Sequence, residues 1–517
     1  MSVLGKVGVV SAMTAVSRVF GLVREIVMAH FFGTTALQSA FVIAFRIPNL
    51  FRRLFGEGAL GAAFIPVFAE LERTEGRERA QVFLARILGL LVCALGLLVA
   101  LGIAATYAVE AAVEPGGRWA VAMPLTRIML PYALFICVAA IVSAALNVRD
   151  RFAVPSLTPV ILNLCWIGAL VGVCPFLGTA EARIGAVCWG ILLAGVAQIF
   201  FQLPALRAVG YRLRFTFTGW RASPYVRQVL LQMGPASLGI ALAQVNICLD
   251  GWLAYYGAEW APSALEYADR IIYLPLGLFG TAFATVLLPT FSRQAAADDR
   301  PALLATLERS LRNLFVLMAP MAFGLIALAA PIVALLYQRG AFDAQSTLWT
   351  ARAVSAYALG LIAFSSAKTV IPVFYAHKDL KTPVKVAAWC ILGNLALNLC
   401  SVLLLPEGWR HVGIAVSTVL NSFANTGILL AILWRRGLRP ALWPLAWSAC
   451  RALLAAALMG LAVWWAHAWL AARGLSLFLS VPLAIALGGA LYLPLARLLA
   501  PAELRELLAD LPLRRRR

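Results

Sequence analysis

A chain of 517 residues could form several water-soluble domains, but 62% hydrophobic residues, 13% charged residues and a mean hydropathy of +0.87 exclude that class. The composition fits a polytopic membrane protein instead, since a bilayer core about 30 Å thick takes roughly 20 apolar residues per helix. A net charge of +20 would suit nucleic acid, yet the way the charge is distributed argues against that partner.

Taken in chain order, the apolar stretches predict helices at 7–31, 36–60, 81–106, 120–146, 154–176, 183–206, 228–256, 262–291, 312–337, 347–375, 385–405, 411–434, 444–469 and 475–500. The first is not a cleavable leader: Arg18 and Arg24 interrupt it and it runs straight into the second. If the N-terminus is cytoplasmic, the cytoplasmic loops and tails hold 26 Lys and Arg and the outer ones five, counting Arg183, Arg312 and Lys385 at helix ends with the loops. Arg207, Arg212, Arg214, Arg221 and Arg227 share one inner loop, and Arg514 to Arg517 close the chain. This is the positive-inside pattern, which places both termini in the cytoplasm and sets the basic excess against anionic headgroups, not nucleic acid.

The nine cysteines include Cys93, Cys137, Cys165, Cys248 and Cys390 within apolar stretches and form no CxxC pair, so they read as small core residues. Four scattered histidines make no zinc motif, and no phosphate-cradling glycine loop is present. An enzyme acting on membrane lipids would need a catalytic base or metal carboxylates in a sizeable aqueous loop, and the loops are short. The chain is therefore expected not to be an enzyme, and no organic cofactor is expected.

A repeat relates the two halves at a spacing of 224 residues. It pairs Phe32-Gly33 with Tyr256-Gly257, Arg46-Ile47 with Arg270-Ile271, and Leu54-Phe55-Gly56 with Leu278-Phe279-Gly280. One residue out of step, Ile65-Pro66-Val67-Phe68 matches Leu288-Pro289-Thr290-Phe291. The expected fold is an all-α membrane protein of about fourteen transmembrane helices, with two parallel six-helix lobes around a central cavity and two extra C-terminal helices. The lobes would occupy 1–227 and 228–440, and 441–517 would hold the extra helices and a basic tail.

Several basic residues fall inside helices. Arg86, Arg352, Lys368, Arg451 and Arg497 lie near helix ends and can snorkel, and Arg127 is intermediate. Arg18, Arg24, Arg46 and Arg270 lie deeper; Arg18 is about 16 Å into its helix at 1.5 Å per residue. Each central arginine costs roughly 2.5–3.5 kcal/mol on insertion scales. Glu25 shares a helix face with Arg18, while Arg46, Asn49 and Arg53 share another at i, i+3 and i+7, beside Arg52. Glu25, Glu57, Asp250 and Asp269 can neutralise part of this charge, but cations outnumber carboxylates. The surplus implies a hydrated cavity for an anion, and guanidinium forks suit phosphate.

The segments Ser17-Arg18-Val19-Phe20-Gly21-Leu22-Val23-Arg24-Glu25 and Phe45-Arg46-Ile47-Pro48-Asn49-Leu50-Phe51-Arg52-Arg53-Leu54-Phe55-Gly56-Glu57-Gly58-Ala59 resemble the MurJ (MviN) family of lipid II flippases. Gln232-Met233-Gly234-Pro235, Tyr267-Ala268-Asp269-Arg270 and Lys381-Thr382-Pro383-Val384-Lys385 extend the resemblance into the second half. The resemblance implies the multidrug/oligosaccharidyl-lipid/polysaccharide exporter fold in a bacterial inner membrane. It also implies alternating-access export of lipid II, the undecaprenyl-diphosphate-linked peptidoglycan precursor, beside other cell wall synthesis proteins. Arg18, Arg24, Arg52 and Arg270 stand at its substrate-contacting positions, and the wider candidate set adds Glu25, Arg46, Asn49, Arg53, Glu57 and Asp269. Many relatives carry an aspartate where this chain has Ser39.

Some members of the family look to hold sodium. Carried over, that pattern makes Asp250, Asn394, Asn398 and Thr418 side-chain ligands and Ile414 a carbonyl ligand; interhelical hydrogen bonding by the same polar residues is the alternative. Trp447, Trp464, Trp465 and Trp469 fit either a groove for the lipid tail or an interfacial aromatic belt. A flippase for another polyprenyl-diphosphate oligosaccharide, of O-antigen or capsule type, stays open as a second reading because its cargo shares the diphosphate.

Overall fold

The computed structural model describes residues 3–56, 59–114, 116–277 and 281–510. Every regular element among them is helical, and the chain divides into two compact units, Met1–Tyr255 and Tyr256–Arg517.

The first unit opens with α1 (Val3–Phe32) and α2 (Ala36–Phe51), with Thr35 capping α2 through the amide of Gln38. A π-helical turn, Arg52–Gly56, follows α2, and α3 (Ala59–Glu75) and α4 (Arg77–Ala112) come next. The expected helix at 120–146 is two, α5 (Arg118–Met129) and α6 (Tyr132–Val148), because Pro131 at the junction has no N–H to continue the ladder. Then come α7 (Ala153–Gly172), α8 (Ala180–Ala208) and α9 (Pro224–Gly257). α1 packs on α7, α7 on α8, α6 on α8, and α2 on α5. Phe64, Phe68 and Phe83 stack between α3 and α4. The loop after α8 returns along α4: the Thr216 amide donates to the Ala85 carbonyl at 3.0 Å, and Gln81 bonds both backbone groups of Arg212. Gly89 is required there, since any Cβ would overlap the Thr216 carbonyl.

The second unit holds α10 (Ala261–Pro275), α11 (Thr281–Ala296), α12 (Arg300–Ala327), a short α13 (Ala329–Tyr337), α14 (Ala344–Ala376), α15 (Lys381–Leu404) and α16 (Glu407–Arg435). The last helices are α17 (Leu442–Ala472), α18 (Leu477–Leu499) and α19 (Pro501–Asp510). α10, α11 and α12 pack on α14, α14 on α16 and α15 on α16. This is the packing order of the first unit with α14 standing for α5 and α6. The repeat also reaches the backbone. Residues 276–277 turn π-helical after α10 as Arg52–Gly56 do after α2, and Asp150 and Lys378 take φ of 58° and 59° in the loops leading into α7 and α15.

Ten helical segments among the described residues are long and apolar enough to cross a membrane. The four other expected spans coincide with α1, α2, α9 and α10, the helices that carry the deep arginines, Asp250 and Asp269. α2 and α10, at 16 and 15 residues, are each followed by a π-helical turn.

Ahead of α15, Asp379 accepts from the amides of Lys381 and Thr382 at 3.1 and 2.9 Å, from the Thr382 hydroxyl, and from Arg436 at 2.7 Å. Burial alone would raise this carboxyl, but the Thr382 and Arg436 hydrogen bonds prevail and hold it at about 2 against an ordinary 3.8. Because the folded value lies below the unfolded one, the stabilisation is complete above about pH 4 and disappears as pH falls towards 2. Asp379→Asn should lower the melting temperature by roughly 2–4 °C at pH 7. Melts of both proteins at descending pH should show that difference closing below pH 4.

Candidate functional site

The face of α1 against α7 carries Arg24, which among the described residues is the one Lys or Arg that is fully buried, at 7% exposure. Two residues of α7, three positions apart and so on one face, receive it. Asn163 accepts from an Arg24 terminal nitrogen at 3.0 Å and donates its own amide to the Ser17 carbonyl at 3.2 Å, tying two turns of α1 together. The guanidinium lies 4.2 Å from the Trp166 ring centroid, and Trp166 meets Phe41 and Phe45 of α2 edge-on at 5.3 Å each. Glu25, buried as well, takes the other terminal nitrogen of Arg24 as an ion pair. The Arg24 Nε is buried without a hydrogen-bond partner. One guanidinium thus has an ion pair, an amide and an aromatic face, with its Nε N–H still to offer.

Sequence spacing suggests Arg18 as the partner of Glu25, whereas the structure pairs Glu25 with Arg24 and leaves Arg18 exposed on α1. On α2, half-buried Arg46 donates to the Ile247 carbonyl of α9 and occupies the space left by the missing side chain of Gly251. Arg52 Nε donates to Asn49 Oδ1 at 3.0 Å across the junction of α2 and its π-turn, where Arg53 is also half-buried. In the second unit Arg270 pairs with Glu266 at 2.6 Å, one turn back on α10, with Asp269 half-buried beside it. Glu57 lies outside the described residues.

Arg127 is a tie between helices: it pairs with Glu110, lies over the Tyr107 ring at 3.4 Å and donates to Thr106, all from α4. Of the candidate ion ligands, Asn394 and Asn398 are buried on α15, and α15 packs on α16. There the Thr418 hydroxyl donates to the Ile414 carbonyl at 3.1 Å. Asp250 belongs to α9 and accepts from Asn246 at 3.2 Å. Buried amide, hydroxyl and carbonyl oxygens of this kind suit a small hard cation.

Sequence reasoning missed Asn163, Trp166 and Glu266. Glu266 was within reach, since i, i+4 spacing from Arg270 predicts the pair. Asn163 and Trp166 sit in an apolar stretch whose pattern does not say which helix it faces.

Residues 28–483 match the family described as Lipid II flippase MurJ. The chain is 35% identical to the lipid II flippase MurJ of Burkholderia cenocepacia over 83% of each protein, and 33% identical to the probable lipid II flippase MurJ of Vibrio cholerae over 88% of each. A solved lipid II flippase MurJ in an inward closed conformation shares the fold at a TM-score of 0.77 and 24% identity, over 95% of this chain and 98% of that one. An inward-facing multidrug transporter of the MATE family follows at a TM-score of 0.64 and 16% identity, over 83% of this chain and 97% of that one.

Removing one member of a buried ion pair is more damaging than removing both. Arg24→Met alone should cost about 3–5 kcal/mol, because buried Glu25 loses the guanidinium that offsets its charge, and Arg24→Met with Glu25→Leu should recover most of it. Thermal melting of the purified proteins reads the order, which is reversed if the Arg24–Glu25 pair does not exist.

Proposed function

Since the chain belongs to the lipid II flippase MurJ family, we propose that Arg24, held by Glu25, Asn163 and Trp166, anchors the diphosphate of the lipid II that this multi-pass membrane protein flips. The observation that supports this most directly is the buried guanidinium with an uncommitted Nε N–H. An unmet buried donor costs about 1–3 kcal/mol, which a phosphate oxygen accepting from it would recover. The names of the relatives specify lipid II, which sets the O-antigen or capsule reading aside.

In this reading Arg18, Arg46, Arg52 and Arg53 of the first unit and Arg270 of the second add positive charge for the headgroup, with Asn49 beside Arg52 and Asp269 beside Arg270. Arginine suits the task because it stays charged when partly desolvated and grips two oxygens at once. Glu25 keeps Arg24 neutralised while the site is empty, and the arriving diphosphate takes over that role. Transport follows alternating access, with α2 and α10 bending at the π-turns after them, since such turns release the i→i+4 ladder. Both termini face the cytoplasm, in keeping with the basic loops. Each negative charge moved outward against 100 mV, inside negative, releases about 2.3 kcal/mol, so cargo movement needs no ATP site. Within the second unit, Asn394, Asn398, Thr418 and the Ile414 carbonyl would offer hard oxygens to a coupled sodium ion.

Cells depleted of their own lipid II flippase and supplied with this chain test the proposal. Rescue is expected from the intact protein and lost with Arg24→Ala, with Arg270→Ala, and with the Arg24→Met, Glu25→Leu double variant even though that variant is stable. Growth restored by the double variant, with the protein at normal abundance in the membrane, would remove Arg24 from the mechanism.

A further inference from the structure

Far along the chain from the arginines of α1, the second unit carries a cavity lined by charged and aromatic side chains that transport as described above does not use. Its volume is about 300 Å³, small for a whole lipid and sufficient for a headgroup. It lies where α17 begins and α19 folds back after α18, and its lining combines Arg312, Arg451, Glu503, Glu506, Trp443 and Trp447.

Leu504 anchors α19 in the core formed with α12, α17 and α18, which brings both glutamates to the two arginines. Arg451 pairs with Glu503 at 2.6 Å, and Glu503 is buried at 2% exposure. Arg312 and Glu506 stand 3.9 Å apart, an ion pair too long to be a hydrogen bond. In each of the four one polar atom is buried without a hydrogen bond: the Nε of Arg312 and of Arg451 and the Oε2 of Glu503 and of Glu506, with Arg312 Nε and Glu506 Oε2 being the atoms of the long ion pair. Buried polar atoms left without a hydrogen bond are costly, so each favours a ligand atom that meets it. Trp443 and Trp447, one turn apart at the start of α17, are 80% and 58% exposed and form an aromatic rim.

Charge balance selects the ligand. Two arginines and two glutamates sum to zero, so an anionic headgroup meets repulsion from the carboxylates and a simple cation meets it from the guanidiniums. A group that supplies an anion and a cationic N–H donor a few ångströms apart satisfies both sets. We propose that this cavity binds the zwitterionic headgroup of a membrane lipid of the phosphoethanolamine class. The phosphate is taken by the Nε atoms of Arg312 and Arg451 and the ammonium by the Oε2 atoms of Glu503 and Glu506. Trp443 and Trp447 hold the glycerol region at the membrane interface, and the acyl chains stay in the bilayer. The lipid and α19 then share one network, so lipid occupancy steadies the C-terminal helix on α12 and α17.

The test is native mass spectrometry of the full-length, delipidated protein titrated with phosphatidylethanolamine or phosphatidylglycerol. The expected result is one firmly retained phosphatidylethanolamine per chain, at least tenfold preferred over phosphatidylglycerol. The preference should be lost in Arg312→Gln and in Glu506→Gln, both of which leave the Arg451–Glu503 pair in place. Equal retention of the two lipids by the unaltered protein overturns the proposal, and so does a preference that survives both substitutions. The comparison of lipids on the unaltered protein decides the matter even if a variant fails to fold.

Discussion

The cost of placing a guanidinium among apolar helices shapes the first unit. Arg24 is tolerable on α1 because Glu25 offsets its charge, Asn163 meets its hydrogen-bonding need and Trp166 gives it a polarisable face. Each partner constrains a different element. Glu25 is on α1 itself, whereas the two α7 residues fix the rotation of α7 about its axis, and Trp166 passes that constraint on to Phe41 and Phe45 of α2. One buried charge thus sets the mutual register of α1, α2 and α7, which a purely apolar contact would leave freer to slide.

Duplication explains the frame, and divergence explains the chemistry built on it. The units share their packing order, the π-turn after the second helix and the left-handed residue before the seventh and fifteenth helices. Yet the paired arginines have different partners: Arg46 bonds a backbone carbonyl of α9, and Arg270 bonds the carboxylate of Glu266 on its own helix. A carbonyl leaves a full positive charge in place, while a carboxylate cancels it. The two copies therefore contribute unequal fields from equivalent positions, which a symmetric duplication alone would not supply.

The helical class, the repeat and the deep arginines were legible in the sequence because each rests on composition or spacing along one chain. Hydropathy marks an arginine that breaks an apolar stretch whatever surrounds it. Partners across helices were not legible. Asn163 and Trp166 look like ordinary members of an apolar run, and their importance depends on α7 facing α1, which no local pattern encodes. The pairing of Glu25 with Arg24 was missed for a related reason: helical geometry puts adjacent side chains about 100° apart, so seven-residue spacing to Arg18 looked the better match. The split at Pro131 was foreseeable from proline chemistry, but α12 begins well before its apolar stretch, where polar residues continue the same helix beyond the bilayer length.

Ser39 bears on the same balance of charge. It is fully buried on α2, a helix packed on α5, α6 and α8. A carboxylate at that position would lose its hydration and would need a cation brought to it, at an effective penalty of several kcal/mol if unpaired. A serine makes no such demand, since its hydroxyl can be met by backbone carbonyls. With no acid there, the carboxylate shown neutralising a buried arginine in the first unit is Glu25. Among the described residues of α1 and α2, Glu25 is then the one carboxylate that these helices carry. Asn163 and Trp166 hold the guanidinium independently of Glu25, so the ion pair is one of three contacts that keep Arg24 on the α7 face of α1.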